Sequence, residues 1–210
     1  MKDIPFFTTE NGVASLTLKE IPINSRAYIK ILSSETPKVL LEDCVCFCRA
    51  CGAESIFASG IDEHEEYSLS ATLMLMQASG LPESKAALFP ITEATVSKWR
   101  MIYNLRMNMV PNASIFTGAD EKKLLVDGDC YFVHRNGELL GIGKASGDTI
   151  EAVASIVKGE GREVLLALAS VLDGDTVKLV VAKENTSAVL LYEKLGFTMV
   201  QEVSRWYKIL

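Results

Sequence analysis

The chain alternates strand-like and helix-like segments over its length, and this predicts an α/β fold. Three observations carry the prediction. Asn136-Gly137 sits between two alternating apolar runs, the strongest short hairpin signal in the sequence. Lys158-Gly159-Glu160-Gly161-Arg162 links a strand-like run to a helical one. A helix bounded by Asn185 and Gly196 stands between two further strand-like runs.

Taken in order, residues 13–21 and 27–32 read as strands, 39–51 as a buried helix, and 54–59 and 69–78 as two more strands. Gly52 and then Gly80-Leu81-Pro82 punctuate the ends, so residues 1–80 form a small ββαββ subdomain. The pattern restarts with a strand over 85–89 and a helix over 92–110 closed by Pro111-Asn112, followed by a polar connection through Gly118-Ala119-Asp120. Strands over 130–135 and 138–144 flank the hairpin turn, and a third covers 149–157. A helix over 163–172, a turn at Asp173-Gly174-Asp175, a strand over 176–182, the capped helix and a final strand over 198–209 complete the chain.

With 210 residues and 49% hydrophobic content, there is material for one large domain, or a typical domain plus a smaller one, each with a packed core. The net charge of -6 and the absence of long Lys or Arg runs argue against nucleic acid as a partner. No run approaches the ~20 apolar residues of a membrane span, and the first ten residues lack a cleavable leader pattern, so a cytoplasmic protein without a membrane partner is expected. Of the five cysteines, Cys44, Cys48 and Cys51 share a helical face with Leu40 and Leu41, as small buried hydrophobes do, while Cys46 points elsewhere. A zinc or redox site on the Cys48–Cys51 spacing is the competing reading, although neither His64 nor His134 sits at ligand spacing. No metal is expected.

By residue type and spacing, Asn185, Ala188, Leu191, Tyr192, Leu195, Gly196 and Phe197 resemble the final helix motif of the GNAT superfamily of acyl-CoA-dependent N-acetyltransferases. The order of elements over residues 83–210 is similar to that fold, which implies a mixed, mostly antiparallel sheet with flanking helices and a GNAT N-acetyltransferase domain there. Val39-Leu40-Leu41 echoes Val164-Leu165-Leu166, each followed by a glycine and a strand, so residues 1–80 are read as a degenerate GNAT-like half.

Transfer of an acyl group from a thioester to an amine needs an anion cradle, carbonyl polarisation, a base and an acid. Gly159 and Gly161, at the head of a helix, offer backbone N–H groups for a diphosphate, with Glu160 in the same loop and Lys158 and Arg162 as neighbouring cations. The resemblance implies that Ala152-Val153-Ala154-Ser155 is the splayed strand whose backbone, at Val153 and Ser155, pairs with the pantetheine arm. It implies also that Asn185, Ala188 and Tyr192 meet the cofactor, with Tyr192 protonating the departing thiolate. Glu151 is the preferred base, with Asp129 and Glu138 as other candidates. Acceptor contacts are expected from Trp99, Tyr103 and Arg106 in the first helical region.

The chain departs from the family at Ile156, where an Arg or Gln usually precedes the glycines. Two expectations follow. One is acetyl transfer from acetyl-CoA, as co-substrate, to a primary amine of a small molecule or peptide, with a homodimer allowed. The alternative is a catalytically inactive GNAT-like binding or interaction module.

Overall fold

The computed structural model describes residues 1–61, 66–108, 110 and 113–210. The chain runs β1 Ile4–Thr9, β2 Gly12–Thr17, α1 Ile21–Asn24, β3 Arg26–Ser33, α2 Pro37–Ala50, β4 Ser55–Ser59 and β5 Ser68–Ser79. It continues through β6 Ala87–Pro90, α3 Val96–Met107, a 3-10 turn Gly118–Asp120, α4 Glu121–Asp127, β7 Cys130–Arg135, β8 Glu138–Ser146 and β9 Thr149–Ser155. The last elements are α5 Gly161–Ala169, β10 Thr176–Ala182, α6 Thr186–Lys194 and β11 Thr198–Lys208. Two compact units result, Met1–Thr72 with Ser204–Leu210, and Leu73–Val203. Their division falls within β5, ahead of the Gly80-Leu81-Pro82 break, and each unit is thereby closed by a strand segment from the other half of the sequence.

In the first unit the strand order is β1-β2-β3-β4, with the end of β11 antiparallel to β4. The ββαββ expectation omits β1, which pairs with β2 through a turn at Glu10-Asn11 and packs Phe7 on Phe47, ring centroids 5.0 Å apart. Proline in its second position hid this strand, yet an edge strand tolerates proline. The expected strand over 13–21 stops at Thr17, because Pro22 starts the short helix α1. On α2, Leu40, Leu41, Cys44 and Cys48 are buried while Cys46 is exposed, as the helical spacing predicts; Cys51, expected on the same buried face, caps the end of the helix and is only partly buried.

In the second unit the order is β5-β10-β9-β8-β7-β6, antiparallel throughout except for the parallel pair β9–β10. On α5, Val164 to Leu168 are all buried, and they share a core with Val133, Leu140, Ile150 and Leu179. A separate core gathers Trp99, Tyr103 and Met107 of α3 with Phe132 and Ile142. The helix lies so close to β8 that a Cβ at Gly143 would stand 2.1 Å from Leu168 Cδ1 and 2.7 Å from the Ala152 carbonyl oxygen. Only glycine leaves room for that approach.

Helix α3 begins at Val96 rather than near 92, because the Thr92 N–H donates to Thr95 Oγ1 at 2.9 Å and holds a capping turn outside the helix. The stop assigned to Pro111-Asn112, like His64, lies outside the described residues. Where a polar connection was expected, α4 forms; Thr117 and Asp120 make a capping box before it, and Leu124 anchors it in the core. The hairpin turn, β10 and the α6 caps fall where the sequence places them, with Asn185 Oδ1 accepting from the Ala188 N–H at 3.4 Å and Gly196 at φ +91°.

Candidate active site

Strands β9 and β10 pair only at Thr149–Lys178 and Ile150–Leu179, although both run on for several residues. Beyond that point they part. The outer edge of β9 remains paired with β8 up to Ser155, and β10 remains paired with β5 along its length, so the facing edges alone are left open. An open strand edge in a cleft is a template for an extended ligand carrying amide groups.

A cavity of about 320 Å³ occupies the parting, lined by Glu151, Ala152 and Val153 of β9, Val180 to Ala182 of β10, Asn185, Ala188 and Tyr192 of α6, and Tyr103 and Met107 of α3. A second, more open cavity of about 610 Å³ shares Val110, Val153, Asn185, Ala188 and Tyr192 with the first and extends to Ser155, Gly161 and Leu191. Together they make a groove from the vertex of the two strands to the head of α5.

At that head the loop is built to leave donors unspent. The Ile156 and Val157 amides both donate to the Leu140 carbonyl, at 2.8 and 3.3 Å, and the Glu160 amide donates to the Val157 carbonyl at 3.2 Å. The amides of Lys158, Gly159, Gly161, Arg162 and Glu163 have no partner among the described residues. Gly159 takes φ +90°, a conformation that L side chains rarely adopt. The nearby carboxylates are tied down: Glu160 pairs with Arg135 at 2.5 Å, and Glu163 accepts from the Lys85 amide at 3.1 Å and the Ser84 hydroxyl at 3.3 Å. Burial alone would raise the Glu163 pKa, but those donors and Arg162, at 2.8 Å, hold it below the usual carboxylate range. With the positive end of α5 behind the free amides, the loop suits a dianion.

Tyr192 is 7% exposed, and its hydroxyl has no hydrogen-bond partner among the described residues. It lines both cavities. Burial pushes its pKa to about 12, so the group facing the groove is a neutral phenol, a proton donor. Asn185 does two things at once, since the side chain that caps α6 also borders both cavities.

Glu151 lies at the vertex, 44% exposed, with Oε2 2.6 Å from Lys144 Nζ and Oε1 accepting from the Ser146 hydroxyl at 3.2 Å. The same Nζ donates to Asp129 at 2.6 Å. Burial works against the charge on Lys144, yet the two carboxylates outweigh it and the pKa is raised, so the ammonium persists. Asp129 is buried in that pair, and Glu138 is exposed beside the hairpin turn; neither lines the groove.

The residues expected to meet an acceptor divide. Tyr103 lines the groove. Trp99 does not: it is fully buried, stacks on Tyr103 at 5.3 Å and donates from Nε1 to the Tyr131 carbonyl at 3.1 Å, so the expectation of direct contact is corrected to a supporting role behind Tyr103. Arg106 donates to the Ile156 carbonyl at 3.1 Å and borders neither cavity. The Ser155 hydroxyl is spent on the Val157 carbonyl at 2.5 Å, while Lys158 and Arg162 are exposed on the loop. Sequence reading missed Met107, whose signal is the four-residue step from Tyr103, and Lys144, which has no local signature at all.

Among the described residues no group of His, Cys, Asp and Glu could hold a metal, and no helix is long and apolar enough to cross a membrane. No family model and no curated protein matches the sequence. Solved structures match the fold. A GCN5-related N-acetyltransferase from Sphaerobacter thermophilus superposes with a TM-score of 0.59 at 9% identity, covering 93% of this chain and 75% of its own. Another from Kribbella flavida gives 0.58 at 9% identity, over 96% of this chain and 58% of its own. A tandem GNAT protein from the clavulanic acid biosynthesis pathway gives 0.53 at 12% identity, over 94% and 78%. The parted parallel strands, the glycine loop and these neighbours lead to one conclusion: the chain has the GNAT fold.

Proposed function

We propose that the protein is an N-acetyltransferase that moves an acetyl group from acetyl-CoA to a primary amine by direct attack. The observation that carries this reading is a groove that runs from the parted β9 and β10 to Gly161 at the head of α5, where the Gly161 amide and those of its neighbours Lys158, Gly159, Arg162 and Glu163 have no partner among the described residues. The diphosphate of the cofactor would rest on those amides, and the pantetheine arm would pair with the free edge of β9 beside Val153 and Ser155, passing Asn185 and Ala188. At the vertex the amine nitrogen attacks the thioester carbonyl. Glu151 takes the ammonium proton, and collapse of the tetrahedral adduct breaks the C–S bond as the Tyr192 hydroxyl gives its proton to the thiolate. A model thiol ionises near ~8.5, far below Tyr192, so the transfer is favourable only where the departing sulfur is desolvated too.

The first unit supports a corollary. It repeats the second in order and pairing, hairpin, strand, helix and parallel strand, but β3 and β4 stay paired over five successive positions from Arg26–Ser55 to Lys30–Ser59. Helix α2 starts at Pro37, with no glycine loop before it. We read residues 1–80 as a degenerate half without a cofactor cleft; one neighbour is itself a tandem GNAT protein. The cytoplasm, where unpaired thiols persist, is the compartment that fits five free cysteines.

Ile156 in place of a polar loop residue supports the other reading, an inactive GNAT-like module. Isothermal titration with acetyl-CoA separates the two. Binding at one site per chain, with thiol release on adding an amine, is the expected result. No heat from acetyl-CoA, together with no thiol release across a panel of amines, would leave the inactive module standing.

A further inference from the structure

We infer that the acceptor is a monoamine whose single cationic head meets Glu151 and whose body is apolar and carries no carboxylate. This rests on the acyl-transfer reading and adds the substrate class.

The groove is a built site, because Tyr192, more than nine-tenths buried, lines both of its cavities and its hydroxyl has no partner among the described residues. Among the described residues lining the 320 Å³ cavity, Glu151 alone is charged. The wall opposite the strands is made by Tyr103 and Met107, with Leu73, Ile150 and Leu179 nearby. Tyr103 is backed by Trp99 at 5.3 Å and by Phe116 at 4.7 Å, which fixes an aromatic face rather than a mobile one.

The charge arithmetic around Glu151 points to a cation. Two carboxylates, Asp129 and Glu151, share the one ammonium of Lys144, which leaves an excess of one negative charge. Asp129 is buried with Lys144, so the excess is presented through Glu151, the more exposed member. A carboxylate has about four acceptor positions. Glu151 spends two, on Lys144 and Ser146, and has capacity for an incoming ammonium.

The same lining sets what is rejected. An amino acid brings its carboxylate to a cavity with no described cationic side chain in its wall, where Glu151 repels it. A polyamine carries further ammonium groups past Tyr103 onto Met107 and Leu73, aliphatic side chains that cannot solvate them. Charge at the head and an apolar body satisfy both ends at once.

The test uses matched probes: phenethylamine, phenylalanine, which adds only a carboxylate, and spermidine. Binding is read by ligand-detected NMR on the full chain without acetyl-CoA, so it is independent of transfer. Turnover is read by thiol release from acetyl-CoA. Phenethylamine should bind at least about tenfold more tightly than either competitor, and Glu151→Gln should remove that preference while leaving acetyl-CoA affinity unchanged. Phenylalanine or spermidine bound as well as phenethylamine, or a preference that survives Glu151→Gln, overturns the assignment. Selective binding of phenethylamine with no thiol release upholds the site and overturns the transfer reading instead.

Discussion

At the scale of single residues the account turns on Tyr192. Burial holds the phenol protonated to about pH 12, so it is in its donor form throughout the working range. Tyr192→Phe removes only the hydroxyl and leaves the ring packed 5.8 Å from Phe197. Turnover should fall by about 10²-fold, in the range of general acid catalysis, with acetyl-CoA affinity unchanged in a titration. Because the folded pKa is raised above the ordinary value of 10.0, the proton is retained as pH rises to 10 and lost only on approach to 12. The rate of acetyl transfer should therefore climb with pH as the amine loses its proton, with no descending limb before about pH 11. A descending limb near pH 8 would point to another acid.

At the scale of elements, the contact of α5 with β8 carries the cleft. The helix that offers its N-terminus to the groove is seated directly on the β8 backbone at Gly143. Gly143→Ala should cost about 1–3 kcal/mol in a urea titration, the range for overpacking a filled site. Gly159→Val is a different change: its Cβ meets nothing within 4 Å, so the penalty is conformational, and weakened acetyl-CoA binding is expected together with a loss of about 1–3 kcal/mol from the strained backbone.

Helix α2 gives a further check. Burial pushes the Cys44 thiol to about 11 and the Cys48 thiol to about 12, both raised from 9.0, so both stay protonated at neutral pH. With raised pKa values the contribution to stability is complete below pH 9 and is lost as pH rises through 11 to 12. Thermal melts should be level to pH 9 and fall above it, and Cys48→Ala should make that fall less steep. At pH 8 a disulfide reagent should label the exposed Cys46 quickly and reach Cys44 and Cys48 only through unfolding.

Most elements of the second unit were legible because their signals are local: a turn dipeptide at Asn136-Gly137, caps at Asn185 and Gly196, glycines at 159 and 161. What the sequence hid is what tertiary contact decides. β1 is an edge strand containing Pro5, and its place is set by pairing with β2. α4 is only seven residues long and stands because Leu124 finds a core and Thr117 a capping partner. The Lys144 bridge between Asp129 and Glu151 joins residues on three different strands or their approaches, so no spacing rule finds it. Trp99 and Tyr103 share one helical face, and only the packing of Trp99 on the Tyr131 carbonyl separates core from groove.

At the scale of the whole molecule, both units carry a hairpin, a strand, a helix and a parallel strand, and they differ in how far the parallel strands stay paired. Parallel strands zipped over five positions in the first unit are released after two in the second. If this difference is what makes a cofactor site, the chain binds one acetyl-CoA, and calorimetry should return a stoichiometry near one. Two equivalent sites would mean that the first unit keeps a working cleft.

Hydrogen exchange with and without acetyl-CoA reads the backbone amides of the strand edge and the glycine loop one by one. Protection should rise at residues 151–155, along the free edge of β9, and at residues 158–163, at the head of α5, with no matching change at the start of α2. Unchanged exchange at both segments in the presence of saturating cofactor would contradict the account.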